Sequence, residues 1–145
     1  DSYQLLFTSR LYEFLYHLCR SYSHQIPSAS LTGSQRDLQR VTHVMNWVKV
    51  HYPEPLSLET AADSLALSKE YFCRLFKKYT GQTFLEYLND VRTMHLYEDL
   101  QNSDETITVL TEKNGLSNYK IFMRTFKKLY GSTPQKMRSN RIRHV

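Results

Sequence analysis

The sequence contains little glycine or cysteine and no long apolar segment. Four glycines in 145 residues argue against a glycine-rich nucleotide cradle and against a turn-dense all-β fold. Two cysteines, Cys19 and Cys73, make neither a disulfide framework nor a zinc set. No apolar run reaches the roughly 18 residues of a membrane span, and no signal peptide is visible. These absences favour a reduced, cytoplasmic, helical protein.

Residue patterns typical of catalysis are also missing. The histidines have no metal-ligand spacing, and no Ser/His/Asp or Cys/His pattern can be placed. The six histidines are His17, His24, His43, His51, His95 and His144. We therefore expect no enzymatic activity, no cofactor and no metal. Because the chain starts at Asp1, we expect it to be a fragment of a longer protein.

Positive charge is in excess, and it is concentrated in two segments. The net charge is +5 overall. Residues 66–82 sum to +3, residues 83–105 sum to −5, and residues 113–145 contain nine basic residues and no acidic one. Such basic segments attract polyanions by counterion release, without sequence selectivity of their own. Charge by itself leaves nucleic-acid binding and a solvated basic surface both open.

The two basic segments are copies of one unit. Residues 74–83 and 124–133 are identical at six of ten positions, at an offset of 50. Upstream, Leu67-Ser68 matches Leu116-Ser117 at an offset of 49, which puts one extra residue between Ser117 and Phe126. Two copies indicate a duplicated unit, since a solenoid needs at least three.

The first unit predicts two short helices joined by a tight turn. Ser57 is the predicted N-cap of the first helix, Ala66-Leu67 the turn, and Ser68 the N-cap of the second helix. Gly81 suits a left-handed C-cap. The apolar face of the second helix would consist of Tyr71, Phe72, Leu75 and Phe76. Two such helices with an exposed basic face describe a helix-turn-helix.

The second unit repeats this pattern. Thr106 is the predicted N-cap of its first helix, Asn114-Gly115 the turn, and Ser117 the N-cap of its second helix. Phe122 and Phe126 would face the core. A last short helix would begin at Thr133-Pro134.

Two further helices are predicted around the units. Thr83 and Glu86 form a capping box that opens a helix reaching to about residue 101. That helix would span about 28 Å, near the ~34 Å between successive major-groove segments. Its predicted apolar residues are Phe84, Leu85, Leu88, Val91, Leu96 and Leu100. Residues 36–51 predict another helix, with Leu38, Val41, Val44, Met45 and Val48 facing inward and Trp47 packed nearby.

Several of these motifs together resemble one known family. They are Leu58-Glu-Thr-Ala-Ala62, the run from Leu67-Ser68 to Arg74-Leu-Phe76-Lys77, Gly81, Arg92, Phe126-Lys127-Lys128 and Gly131-Ser-Thr133-Pro134. With them, residues 38–139 resemble the DNA-binding domain of the AraC/XylS transcriptional regulators. The resemblance implies an all-α fold of seven helices, with two helix-turn-helices, a connecting helix and two recognition helices in successive major grooves of double-stranded DNA.

The resemblance also implies roles for individual residues. Base contacts would come from Lys69, Glu70, Cys73, Arg74, Asn118, Tyr119, Met123 and Arg124. The expected phosphate contacts are Ser68, Lys77, Lys78, Ser117, Lys120, Lys127 and Lys128, although Lys77, Lys78, Lys127 and Lys128 could instead be solvated. Arg74 and Arg124 suit guanine best, because a guanidinium can bridge O6 and N7, yet a phosphate contact or a plain surface charge stays open for both.

The second unit departs from the family pattern more than the first. Thr111 stands where a small Ala is usual, Leu116 where Phe is usual after glycine, and Lys120 where Ser is usual. In the connecting helix, Leu96 replaces a typical Ala. We therefore expect the first unit to give most of the sequence specificity and the second to add mainly phosphate affinity.

The predicted organisation has six parts. They are a helical arm (1–24), a linker (25–35), the first helix-turn-helix subdomain (36–82), the connecting helix (83–102), the second subdomain (103–139) and a basic tail (140–145). In the arm, Leu11, Leu15, Leu18 and Tyr22 recur at 4-3-4 spacing. They form either a face packed on their own domain or a homodimer seam at the end of a missing effector-binding domain.

The function expected from this organisation is transcription regulation. The family tendency is activation, with RNA polymerase as a partner and no membrane association. The alternative is a helical RNA-binding or protein-interaction module that uses its basic faces non-specifically.

Overall fold

The computed structural model describes residues 32–143, a stretch with seven helices and no strand. They are α1 (Gly33–His51), α2 (Leu58–Asp63), α3 (Lys69–Thr80), α4 (Phe84–Asn102), α5 (Ile107–Lys113), α6 (Tyr119–Tyr130) and α7 (Pro134–Arg143). Helices α2 and α3 form the first helix-turn-helix, α5 and α6 form the second, and α4 connects them. The predicted all-α class and the tandem arrangement are confirmed.

Two element boundaries differ from those predicted. Helix α1 begins at Gly33 rather than at residue 36, because the Thr32 carbonyl already accepts hydrogen bonds from the amides of Gln35 and Arg36. Helix α7 continues to Arg143, beyond the predicted end of the second subdomain at 139. No glycine or second proline follows Pro134 to end it, so residues 140–143 of the predicted tail are helical.

The predicted N-terminal arm lies outside the described residues, as does most of the linker. The arm helix and its seam of Leu11, Leu15, Leu18 and Tyr22 therefore stay predictions.

Side-chain caps start the helices of both units. Ser57, Ser68, Thr83 and Thr106 are N-caps as predicted, and Thr83 and Glu86 form the reciprocal capping box.

The prediction was wrong at α6, where the N-cap is Asn118 and not Ser117. Asn118 Oδ1 accepts a hydrogen bond from the Ile121 amide at 3.0 Å. Asparagine caps as well as serine does, and burial of Phe122 sets where the helix must begin. Ser68 and Asn118 are 50 positions apart, so Ser117 is the extra residue of the second copy.

The turns inside the two units have the same backbone shape. Ala66 has φ +53° and Gly115, its counterpart, has φ +71°, both in the left-handed region. The first unit therefore places a residue with a β-carbon where the second places glycine. The predicted C-cap Gly81 is confirmed at the end of α3, and Gly131 ends α6 in the same left-handed conformation.

Two separate cores hold the fold, and α4 contributes to both. The first core contains Val41, Val44, Val48, Ala61, Ala62, Phe72, Leu75, Phe76, Phe84, Tyr87, Leu88 and Val91. The second contains Leu96, Leu100, Leu110, Leu116, Phe122 and Phe126. Met45 and Trp47 pack against the first core as predicted. Helix α4 thus packs against both helix-turn-helix units.

Three residues predicted to face inward do not. Leu38 and Leu85 are each 51% exposed, and Tyr71 is 38% exposed. Leu85 lies about 100° around the helix from buried Phe84, which puts it on the solvent side of α4. The Tyr71 hydroxyl is 3.4 Å from the carboxylate of Asp37, so its polar end is held at the surface.

Candidate nucleic-acid interface

Helices α3 and α6 correspond position by position. Each has 12 residues, an N-cap and a left-handed glycine C-cap. Phe72 and Phe76 in α3, like Phe122 and Phe126 in α6, are fully buried at the fourth and eighth positions. These phenylalanines fix the rotation of each helix, so the sixth and ninth positions face solvent. Arg74 and Arg124 occupy the sixth position.

The outward face of α3 is basic. The side chains predicted to contact DNA are all exposed: Lys69, Glu70, Cys73, Arg74, Lys77 and Lys78. Within residues 32–143, Arg74 and Lys77 form no ion pair or side-chain hydrogen bond, so both cations are available to a ligand. Cys73 is a free, exposed thiol on this face. Ser68 is also exposed, and its hydroxyl accepts the Tyr71 amide hydrogen bond as the N-cap.

One contact on this face was missed by sequence reasoning. Lys69 Nζ donates to Glu59 Oε1 at 2.6 Å, which ties α3 to α2. The bond from Lys69 lowers the pKa of the Glu59 carboxyl, and Glu59 in turn raises the pKa of Lys69. Glu59 and Lys69 are ten positions apart on two different helices, so no helical spacing predicts their contact. Only the fold reveals that Lys69, a predicted base contact, is already bound to a carboxylate.

The outward face of α6 has the same cations in a different setting. Tyr119 is 53% exposed, and Lys120, Arg124 and Lys127 are exposed as predicted. The Tyr119 hydroxyl lies 3.4 Å from Gln135 Nε2 of α7. Among the described residues, Arg124 and Lys127 form no ion pair or side-chain hydrogen bond.

Two predicted base readers of the second unit are engaged elsewhere. Met123 is half-buried and packs against the second core. Asn118 is exposed, but its side-chain oxygen is used by the cap. Ser117 is exposed in the turn just before them. The face of α6 free to contact a ligand is therefore narrower than the sequence suggested.

Lys128 differs from its counterpart Lys78. Its Nζ lies 3.4 Å from Asp90 Oδ2 of α4, beside a groove lined also by Leu85, Ile121 and Arg124. Lys78 instead lies over the ring of Tyr79, at 5.2 Å. Pairing with Asp90 leaves Lys128 less able than Lys127 to neutralise an external anion.

Two of the acidic residues between the basic segments pair with a lysine outside α3 and α6. Asp99 and Glu105 pair with Lys113 of α5, at 3.4 and 3.8 Å. Arg74, Lys77, Arg124 and Lys127 thus stay available as two sets of point charges, which is what a polyanion with repeated phosphates requires.

Between positions 32 and 143 no helix combines the length and apolarity needed to cross a membrane. In the same stretch no three His, Cys, Asp or Glu side chains come together as a set that would hold a metal ion.

Comparison with known proteins identifies related sequences. Residues 61–140 match the family described as a helix-turn-helix domain. The transcriptional activator RhaS of Escherichia fergusonii is 31% identical over 111 residues, which cover 77% of this chain and 40% of RhaS. An uncharacterised helix-turn-helix regulator of Staphylococcus aureus is 33% identical over 102 residues, covering 70% of this chain and 14% of the regulator. The chain therefore spans less than half the length of these relatives.

Solved structures show the same fold. The DNA-binding domain of AdpA, a global transcriptional factor in complex with a target DNA, is 25% identical with a TM-score of 0.63, covering 70% of this chain and 91% of that one. A regulator with an AraC-type DNA-binding domain from Chromobacterium violaceum is 25% identical with a TM-score of 0.64, covering 72% and 93%. Both likenesses extend over most of the described helices.

Proposed function

The chain belongs to the AraC-type helix-turn-helix family of DNA-binding transcription regulators, and from this premise we propose that α3 and α6 read two successive segments of one major groove. The observation that carries the proposal is the matched exposure of Arg74 and Lys77 with Arg124 and Lys127 on two equivalent helices. Helix α4 connects the two units and is about 28 Å long, a length near the ~34 Å between successive major-groove segments. The AdpA neighbour, whose structure contains a target DNA, supports the same ligand.

We propose base contacts for the sixth-position arginines and phosphate contacts for the lysines one turn further along each helix. A guanidinium gives two parallel hydrogen bonds to guanine, whereas an ammonium acts as a point charge. Lys69, Glu70, Cys73 and Tyr119 are further proposed base contacts. Lys78, Lys120 and Lys128 are further proposed phosphate contacts. The first unit has the wider free face, which supports its role as the main source of specificity.

We extend the proposal to the longer protein that contains this chain. It would be an activator in the cytoplasm, controlled by an effector-binding domain before residue 1 and acting through RNA polymerase, with no catalytic activity. The naming of RhaS as an activator supports the sign of regulation.

Selection of bound sites from a random duplex pool tests the proposal most directly. We expect one recovered sequence class with two short blocks about ten base pairs apart, centre to centre. Affinity for the recovered duplex should fall steeply with salt while its preference over random duplex persists. Equal binding to random duplex, single strands and RNA would contradict the proposal and favour the alternative of a non-specific RNA-binding or protein-interaction module.

The proposed homodimer through the arm needs its own test. In sedimentation, the 145-residue chain carrying Leu15→Asp should have a lower molecular mass than the unchanged chain. Dimerisation would have to remove the new aspartate charge from water, which is unfavourable. His17→Asp is a matched control, since position 17 lies about 200° around a helix from position 15. An unchanged mass for Leu15→Asp would remove the dimer.

A further inference from the structure

Arg92 is a buried cation at the point of α4 where the two cores meet. It is 9% exposed, with Val91 of the first core beside it and Leu96 of the second core one turn further along. Burial lowers its pKa, although a guanidinium keeps its proton in proteins. A charge removed from water in this way must be matched by good hydrogen bonds.

Both hydrogen bonds of Arg92 go to one loop of the first subdomain. Its Nε donates to the Tyr52 carbonyl at 2.7 Å, and its Nη2 donates to the Glu54 carbonyl at 2.6 Å. This loop joins α1 to α2 and lies directly before the first helix-turn-helix. Because the guanidinium is a planar fork, two bonds fix the direction of the loop as well as its distance from α4.

The second subdomain touches the same loop from another side. A β-carbon built on Gly115 would lie 2.6 Å from the Pro53 carbonyl oxygen and 3.1 Å from Arg92 Nε. Gly115 is in the turn that leads into α6. The backbone of the second unit therefore lies directly against Pro53, which stands between the two residues whose carbonyls Arg92 binds. We call this contact of Pro53, Arg92 and Gly115 the seam.

The two subdomains also face each other across a cleft on this side of α4. A cleft of about 900 Å³ opens there, lined by Leu56 and Ser57 of the first unit and by Thr108 and Glu112 of the second. The seam borders this cleft and directly links the loop before α2 to the turn before α6, so it helps to set the orientation of one subdomain relative to the other.

We propose that Arg92 is a positioning residue that fixes the orientation of α6 relative to α3 and thereby makes DNA binding selective for the spacing of the two half-sites. The proposal rests on the two-groove function above. Duplex DNA rotates by roughly 35° per base pair, so a rigid pair of helices fits one spacing only. A loosened pair would tolerate neighbouring spacings, at a cost in affinity for the best one because preorganisation is lost.

A measurement without DNA tests the orientation itself. Spin labels on Cys73 of α3 and on an introduced Lys127→Cys of α6, with Cys19→Ser to remove the other thiol, report the distance between the helices by pulsed electron paramagnetic resonance. We expect one narrow distribution that Arg92→Lys broadens or shifts, because an ammonium lacks the planar two-bond fork. Arg40→Lys, at a partly buried pair with Asp37 within α1, is the matched control and should change nothing.

The outcomes of this measurement are decisive in either direction. An unchanged distribution in Arg92→Lys overturns the proposal, whatever the protein does with DNA. Loss of the helical circular dichroism spectrum in Arg92→Lys also counts against it, because Arg92 would then hold up the fold itself and not the orientation of its parts.

A second measurement uses duplexes with the selected half-sites moved apart or together by one base pair. The unchanged chain should lose about tenfold in affinity, and Arg92→Lys less than about threefold. If the unchanged chain is indifferent to spacing while the spin-label distribution still responds to Arg92→Lys, the two-groove function fails and the orienting role of Arg92 survives. If both chains lose affinity equally, the link from Arg92 to spacing selectivity is wrong.

Discussion

The carbonyl oxygen of Pro53 lies in the space that a side chain on Gly115 would need. A β-carbon there would be 2.6 Å from that oxygen, and the backbone of Gly115 has φ +71°. Glycine is required at this position for two independent reasons, a left-handed backbone and a close approach of two peptide chains. Gly131 meets only the first requirement, with φ +68° and open space around it.

Gly115→Ala should lower the free energy of unfolding by about 2–4 kcal/mol, since the loop or the turn must move to relieve the overlap. Gly131→Ala is the matched control and should cost only about 1–2 kcal/mol from backbone strain. Urea denaturation followed by circular dichroism compares them. Equal losses would show that the contact with Pro53 contributes nothing.

Ala66→Gly should have the opposite effect and raise the free energy of unfolding. Ala66 has φ +53°, where an L-residue is strained, and its counterpart in the second unit is a glycine. Relief of this strain exceeds the entropy cost of glycine, so we expect a gain of roughly 0.5 kcal/mol in the same denaturation experiment. Ala62→Gly, in a helix and fully buried, is the control and should destabilise. A loss for Ala66→Gly comparable to that control would contradict the strain.

Arg74→Ala should reduce the preference for the selected duplex over random duplex more than it reduces the overall affinity for DNA. Loss of a bidentate contact to guanine costs about 1–3 kcal/mol on the selected duplex and relaxes preference at one position. Lys127→Ala, a proposed phosphate contact, should instead weaken selected and random duplex alike and reduce the salt slope by about one. Fluorescence anisotropy over a salt series measures both. If the two variants behave alike, the base-reading role of Arg74 is wrong.

Glu59→Gln should strengthen duplex binding. The change removes an exposed negative charge next to the proposed interface and releases Lys69 from its 2.6 Å ion pair. We expect an increase in affinity of about twofold to fivefold at low salt that fades as salt is raised. Glu112→Gln, an exposed carboxyl on α5, is the control for net charge alone. An equal gain from both variants would mean that freeing Lys69 has no effect.

The same ion pair predicts a pH response. The bond from Lys69 lowers the pKa of Glu59, so the stabilisation it gives is present above the ordinary pKa of a glutamate and is lost as pH falls through the lowered value. In an NMR titration, Lys69→Met should return the pKa of Glu59 toward its ordinary value. Glu86, whose pKa is lowered by Thr83, should be unaffected. A Glu59 pKa that ignores Lys69→Met would contradict the pair.

Local signals accounted for most helix boundaries but failed where tertiary contacts decide. Four of the predicted N-caps and the predicted C-cap Gly81 are confirmed, because capping depends on residues within one turn. Asn118 replaced Ser117 as the cap of α6, since burial of Phe122 sets the register of that helix. Leu85 was expected inside from apolar spacing, yet α4 uses its other faces to reach two cores.

The candidate interface likewise has features that the sequence predicted and features that only the tertiary structure revealed. The exposure of Arg74, Arg124, Lys77 and Lys127 was predictable, because a helix that buries phenylalanines at its fourth and eighth positions must present its sixth and ninth. The sequence did not predict three other features of the interface. They are the pairing of Lys69 with Glu59, the partial burial of Met123 and the pairing of Lys128 with Asp90. Each depends on a residue from another helix, whose approach no local pattern encodes.

The sequence by itself determined a duplicated helix-turn-helix, the helix that connects the copies and the excess of positive charge on both recognition helices. Periodicity, caps and repeat identity are properties of neighbouring residues, so they can be read along the chain. Only the tertiary structure decided that Arg92, 38 and 40 positions beyond the carbonyls it binds, meets Gly115 at a single seam. This contact depends on how the two cores pack against α4, and that packing involves residues far apart in the sequence.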